Sequence, residues 1–76
     1  MKTTEVNKEL IGKRCECIFT GLMVTGVIED TEENEHTIEV KVRFDRPHQW
    51  DDDLYNDVWA WGRKIDEFGT LRHLQL

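Results

Sequence analysis

The sequence lacks several of the features on which enzyme active sites are commonly built. It contains no serine, which excludes a serine-based catalytic triad, and it has no glycine-rich loop of the kind that cradles phosphate groups. A cysteine nucleophile would need Cys15 or Cys17 to meet a histidine, and nothing in the sequence indicates that His36, His48 or His73 lies beside either thiol. We therefore expect a protein that is not an enzyme.

Long hydrophobic runs are absent, and cysteine is scarce. No stretch reaches the ~18 apolar residues of a membrane span, and residues 1–10 contain no signal-like apolar segment. Secreted domains of this length usually carry more than the two cysteines found here, and the positions of Cys15 and Cys17 in one predicted strand rarely suit a disulfide. These features predict a soluble, cytoplasmic protein that makes no contact with a membrane.

Basic residues are outnumbered. The chain has 16 acidic and 10 basic residues, and its formal net charge is −6. Proteins that bind phosphate backbones usually present a basic face, so this balance argues against DNA or RNA as the main partner. Nucleic-acid binding through a local patch stays an alternative, and the candidate residues are Arg43, Arg46, Arg63, Lys64 and Arg72.

The length of 76 residues predicts one domain with a thin core. A domain of this size buries only about 60% of its unfolded surface, and a single small core supplies roughly 3–5 kcal/mol of net stability. Residues 1–8 are polar and are expected to be a flexible N-terminus, while residues 9–76 are expected to form the domain.

Hydrophobic periodicity predicts β-strands along the whole domain. The clearest strand covers residues 37–44, where apolar residues alternate with charged ones. Pro47 is expected to end this strand, and a long irregular stretch should follow over residues 45–56. The residues expected to face the core are Ile38, Val40, Val42 and Phe44. The other predicted strands are 13–19, 23–30 with a bulge or tight bend at Gly26, 58–65 and 70–76.

The last of these predicted strands has an imperfect phase. Leu71 and Leu74 differ in parity, so they cannot both face inward on a regular strand. A bulge or a short helical turn near His73 would bring both leucines to the core.

The order of these elements resembles the SH3-like small barrel of the Tudor and KOW type. The resemblance is carried by Ile11, Gly12 and Lys13 opening a strand, by Gly21 in the next turn, and by residues 24–28 and 38–45. Five short strands predict an all-β fold, and the resemblance implies a small five-stranded SH3-like barrel. One short helical turn that starts within residues 54–61, with Asp53 as its cap, is kept as an alternative to the strand there. An OB-like small barrel is the alternative.

The most unusual segment is residues 50–61, here called the aromatic window. It holds all three tryptophans and the only tyrosine, together with four aspartates. The candidate binding residues are Trp50, Tyr55, Trp59 and Trp61. These rings can pack over the thin core, form a protein–protein contact surface, or build a cage for a cation, in which each cation–π contact is worth about 0.5–2 kcal/mol.

Metal ligands do not form a recognisable set. Zinc sites usually place two residues between paired cysteines, whereas Cys15 and Cys17 are separated by one, and a second pair is missing. The three aspartates at 51–53 lack the alternating ligands and central glycine of a calcium loop. We expect no metal and no cofactor, and a metal-stabilised domain built on the two cysteines is kept as an alternative.

These observations together favour a non-catalytic small β-domain that binds another protein, or a second copy of itself. The aromatic window is the surface that we expect to make the contact, since tryptophan and tyrosine are enriched where binding energy concentrates.

Overall fold

A computed structural model of the chain describes residues 1–66 and 68–76, and its strands form one antiparallel sheet. The strands follow one another in the order β1-β2-β3-β4. They are β1 (Arg14–Phe19), β2 (Leu22–Glu33), β3 (Thr37–Trp50) and β4 (Asp53–Arg63), and they are flanked by 3-10 helices at Thr3–Glu5, Lys8–Leu10 and Thr70–His73. The described residues include no helix that is long and apolar enough to cross a membrane.

One face of the sheet forms the core, and the alternation of β3 fixes which face it is. Ile38, Val40, Val42 and Phe44 are all buried, so the inward set predicted for this strand is confirmed. On β4, Val58, Ala60 and Gly62 lie directly opposite three of them and therefore share the inner face. The charged residues between them belong to the outer face, as expected for an antiparallel sheet with one solvated side.

The two ends of the chain cover the inner face. Leu10 comes from the second 3-10 helix, Leu71 and Leu74 come from the last one and from its cap, and all three are buried with Cys15 and Cys17 of β1. This cover is short and lies close to the strands. A Cβ at position 62 would lie 2.9 Å from Leu71 Cδ2, so the inner face of β4 has room only for a small residue there.

The predicted five-stranded barrel is wrong, because the sheet is open and has four strands. The segment read as a fifth strand, 70–76, begins as a 3-10 helix. Leu71 and Leu74 are three residues apart, and a 3-10 helix has three residues per turn, so both can face the core. Only an isolated bridge between Gln75 and Glu16 joins this segment to β1. Glu67, in the connection between the predicted strands 58–65 and 70–76, lies outside the described residues.

Strand β2 contains a bulge, but not at Gly26, where the sequence suggested one. Ile28 pairs with Val42 and Asp30 pairs with Lys41, so Glu29 is the extra residue. After the bulge, odd-numbered instead of even-numbered residues of β2 face inward, so Thr31 lies on the inner face and is buried. At Gly26, the position expected for a bulge or bend, β2 instead approaches β3 closely.

Strands β3 and β4 are longer than predicted and form a hairpin that extends past the rest of the sheet. Pro47 does not end β3, because the pairing with β4 is interrupted between Arg43 and His48 and resumes after it. A proline is tolerated at such an irregularity, where its missing N–H is not needed by the ladder. The hairpin turns at Asp51, whose φ of 57° is a left-handed conformation that aspartate adopts more readily than most residues.

The N-terminal residues lie against the domain. Thr3 is buried, and Val6 packs against the core cluster. The flexibility that we expected for residues 1–8 stays a prediction.

Candidate interaction surface

The end of the β3–β4 hairpin is a two-stranded ribbon. Pairing between β2 and β3 ends at Gly26 and Phe44, whereas β3 and β4 continue to pair as far as Trp50 and Asp53. Two strands alone are marginally stable in water, so the ribbon needs support from side chains at its base.

Four rings give that support where the ribbon leaves the sheet. The ring centroid of Phe19 lies 5.1 Å from that of Phe44 and 5.3 Å from that of Tyr55. His48 meets Phe44 edge-on at 5.1 Å. Offset and edge-to-face pairs of this kind are worth about 0.5–1.5 kcal/mol beyond the area they bury. This ring cluster holds the ribbon against the turn between β1 and β2.

The aromatic window is largely exposed. Trp50 is 54% exposed, Leu54 67%, and Tyr55 and Trp59 36% each, while Trp61 is half-buried. The interpretation of the tryptophans as core residues is therefore wrong for Trp50 and Trp59. Trp50 also lies on a strand rather than in the irregular loop predicted for it.

The four predicted binding residues do not meet at one point. Tyr55 belongs to the ring cluster and Trp50 to the ribbon, while Trp59 lies four residues further along β4 than Tyr55, about 13 Å at strand spacing. Among the aromatic contacts of residues 1–66 and 68–76, none joins two members of this set. A cation cage closed by Trp50 and Tyr55 around Trp59 and Trp61 is not what the geometry provides.

Trp59 and Trp61 lie side by side on the outer face of the sheet. Trp59 is directly opposite Lys41, and Trp61 is opposite Glu39. Trp61 is packed more tightly, because the ring of Phe68 lies 5.8 Å away and a Cβ at Gly69 would come within 2.8 Å of the indole. Gly69 has a φ of 95°, so only glycine suits both the conformation and the contact. Trp59 has the more exposed ring of the two.

A groove of about 450 Å³ opens where β3 separates from β2. Met23, Thr25, Asp45 and His48 are among the residues that line it. Asp45 accepts hydrogen bonds from the Arg14 guanidinium and from Thr25 Oγ1 at 2.8 Å, and these bonds hold the pKa of its carboxyl below the ordinary value. Through these bonds, Asp45 links Arg14 of β1 and Thr25 of β2 to β3 at the point where the irregular part of β3 begins.

The two cysteines are placed as core residues. Both are free and buried. Burial raises the pKa of both thiols, and together with the neighbouring Cys15 it raises the pKa of Cys17 to about 11. A thiol that stays protonated at neutral pH is a poor nucleophile and a poor metal ligand.

The histidines do not complete a metal site with these cysteines. His48 is in the ring cluster, and His36 lies in the exposed turn before β3, 3.7 Å from the carboxylate of Glu35. Among the residues that the structure describes, no group of three or more histidine, cysteine, aspartate or glutamate side chains is placed to hold a metal ion.

The basic residues considered for nucleic-acid binding are dispersed. Arg43 is opposite Asp57, and Arg63 is opposite Thr37 six residues further along β4, roughly 20 Å away at strand spacing. Lys64 donates a hydrogen bond of 3.0 Å to Glu33, which offsets its charge. Arg43, Arg63 and Lys64 therefore do not form one continuous basic stripe for phosphate groups.

Comparison with known proteins places the whole chain in one family. The model of the family described as a domain of unknown function (DUF7258) matches residues 1–76. The chain belongs to the DUF7258 family. No curated protein and no solved structure matches it.

Sequence reasoning missed part of the exposed apolar surface of this DUF7258 domain. Leu22, Met23 and Leu54 are all exposed, and none of them is among the candidate binding residues. The signal that points to Leu54 is its setting, because Asp53 precedes it directly and Asp57 follows three residues later on the same strand. Charged residues in such positions are typical of a strand at the edge of a sheet.

Proposed function

We propose that this domain is a non-catalytic protein-binding module, and that its contact surface is the ribbon and the outer side of β4. The observation that carries the proposal is the exposure of Trp50, Leu54 and Trp59 on paired strands. A rigid, exposed indole loses little entropy on binding and covers a large area, which is the usual profile of an interface anchor. The partner is another protein or a second copy of this chain.

The chemistry of the other side chains supports a binding role over catalysis. The two thiols are buried with raised pKa values, so neither offers a thiolate at neutral pH. A cytoplasmic setting, which keeps thiols reduced, is part of the same proposal.

A photo-crosslinking residue placed at position 54 tests the contact surface. Leu54 is exposed and pairs across the ribbon with Gln49, so the replacement should leave the fold intact. The matched control carries the same residue at Glu35, an exposed position in the turn between β2 and β3. In the cells that make this protein, we expect a defined adduct from position 54 that is lost when Trp59→Ala is added.

Two outcomes would overturn the proposal. One is the absence of any adduct at position 54, and the other is the same set of adducts from positions 54 and 35. Sedimentation of the purified wild type and of Trp50→Ala separates the two kinds of partner, because only a contact between copies makes the association state depend on this residue.

A further inference from the structure

The outer edge of β4 presents unpaired main-chain groups. The N–H of Trp61 donates to Thr70 Oγ1 at 2.9 Å, whereas the N–H of Lys64 donates across the hairpin to the carbonyl of His36. Hydrogen-bonding groups alternate between the two sides of a strand, so those of Asp57 and Trp59 point the same way as those of Trp61, away from β3. In the described part of the chain, no main-chain group pairs with Asp57 or Trp59 on that side.

The opposite edge of the sheet is less open. Strand β1 has six residues, and in its middle the N–H and the carbonyl of Glu16 bond to Gln75 at 2.7 and 2.9 Å. Strand β4 has 11 residues, and Thr70 covers its edge only at Trp61. An uncovered edge of this length is a template for another strand.

We propose that an extended, basic segment of a partner protein adds to the sheet as a strand beside Asp57 and Trp59. This inference rests on the proposed function and names the chemistry of the partner. The main-chain groups of the edge supply the pairing, and the side chains of Asp57 and Trp59 on the outer face select what lies opposite them.

The charged side chains along the edge of β4 favour a positively charged partner segment. Residues 53–59 include Asp53 and Asp57 and no basic residue. On the β3 side, Asp57 lies opposite Arg43 and 3.9 Å from Lys41. Its side chain is 46% exposed, so the carboxylate stays open to a further cation on the edge side. The exposed indole of Trp59 is two residues away on the same face. The aliphatic part of a lysine side chain can pack on this indole, or an arginine guanidinium can stack on it, and a cation–π contact of this kind is worth about 0.5–2 kcal/mol.

A second copy of the chain fits this edge poorly. Because Thr70 already occupies the edge at Trp61, antiparallel pairing of two copies is confined to residues 53–59. That register puts Asp53 opposite Trp59 and Asp57 opposite Tyr55 of the other copy. The Asp57 carboxylates of the two copies then lie one diagonal step apart, residues 53–59 of neither copy supply a basic side chain to offset them, and each copy carries a net charge of −6. Like charges repel each other in this arrangement.

A blocked peptide in which lysine and valine alternate is the probe for this edge. We expect it to bind the intact domain, and the same peptide with glutamate in place of lysine to show no binding. N-methylation of every second residue, on the side that faces β4, should abolish binding, while N-methylation of the intervening residues should leave it unchanged. A strand added at an edge has this two-residue period, whereas simple charge attraction has none.

Substitutions in the domain provide the second arm. Asp57→Asn should weaken the peptide about tenfold, the change expected for loss of about 1.4 kcal/mol. Glu35→Gln removes the same charge from a distant exposed turn and should leave the affinity unchanged. Equal effects of the two variants, equal effects of the two N-methylated peptides, or failure of the basic peptide to bind would each overturn the inference. If the adducts at position 54 persist in that case, the protein-binding proposal survives and only the basic strand is refuted.

Discussion

Replacing Gly26 by alanine tests the closest approach between two strands of the sheet. Gly26 pairs with Phe44 at the last step of the β2–β3 ladder, just before the strands separate. A Cβ at this position would lie 2.9 Å from both the carbonyl carbon of Arg43 and Val42 Cγ1, with the Arg43 carbonyl oxygen closer still. The backbone carbonyl cannot rotate away as a flexible side chain would, so β3 itself has to move.

The size of the effect follows from that movement. Ordinary carbon–carbon contacts need about 3.5–4.0 Å, so β3 must retreat by roughly 0.5–1 Å. A hydrogen bond of about 2.9 Å is lost or badly weakened by such a shift, and each is worth about 0.5–1.5 kcal/mol. Loss of one or two bonds, together with disturbed packing of Val42, outweighs the ~0.4–1 kcal/mol that alanine gains over glycine through the unfolded state. We expect a net loss of about 1–3 kcal/mol.

Thermal and urea unfolding measure this loss. For a domain of this size, it corresponds to a fall in Tm of about 5–20 °C. The matched control is Gly12→Ala, because Gly12 has a φ of 94° and no atom within 4 Å of the place that a Cβ would occupy, so only backbone strain of about 1–2 kcal/mol is incurred.

Hydrogen exchange separates the two mechanisms. Gly26→Ala should speed exchange of the amides of β3 near Phe44, whereas Gly12→Ala should leave their pattern as in the wild type apart from the general loss of stability. A Gly26→Ala domain as stable as the wild type, with unchanged exchange in β3, would refute the steric argument.

Four further outcomes are expected. Val42→Asp should unfold the domain, because it places a charge at a fully buried position, and a folded variant with an unchanged melting temperature in circular dichroism would contradict this. The free energy of unfolding should fall as the pH rises from about 9 to about 11. Burial raises the pKa of the Cys17 thiol from 9.0 to about 11, so this thiol ionises first in the unfolded chain. In urea unfolding measured between pH 9 and pH 11, Cys17→Ala should show a smaller fall than the wild type. Hydrogen bonds from Arg14 and Thr25 lower the pKa of the Asp45 carboxyl in the folded domain. The stability that this carboxylate contributes is therefore complete above its unfolded pKa of 3.8 and is lost as the pH falls through its folded pKa. The free energies of unfolding of the wild type and of Asp45→Asn should differ at pH 6 and converge in acid. Trp50→Ala should change the free energy of unfolding by no more than about 0.5 kcal/mol, as expected at an exposed position, and a large loss would show that the residue supports the fold.

The sequence predicts the strands best where one face is buried and the other is charged. Residues 38–44 satisfy that condition, and their inward face is confirmed. The same periodicity cannot reveal Glu29 as a bulge, because the extra residue is charged and exposed like its outward neighbours. The consequence, burial of Thr31, depends on the pairing with β3 and is not encoded in the local pattern.

The error at the end of the chain has a different origin. Leu71 and Leu74 cannot both face inward on a regular strand, and their spacing of three matches a 3-10 helix. The short helical turn considered near His73 was therefore the correct interpretation of this segment, and the fifth strand was wrong. The prediction that β3 ends at Pro47 was also wrong. The pairing of β3 with β4 is irregular around this residue, and such an irregularity allows a strand to continue past a proline.

The thin core explains why the aromatic window is exposed. The inner face of β4 carries Ala60 and Gly62, which let Leu71 approach closely, so an indole on this face would push the covering segment away. The large residues of β4 are thereby confined to the outer face, at Trp59 and Trp61. Exposed rings on a strand edge would favour aggregation, and the carboxylate of Asp57 beside them opposes pairing of two copies along this edge. In the proposed complex with a basic strand, the same carboxylate would attract the partner, so one charge would account for both effects.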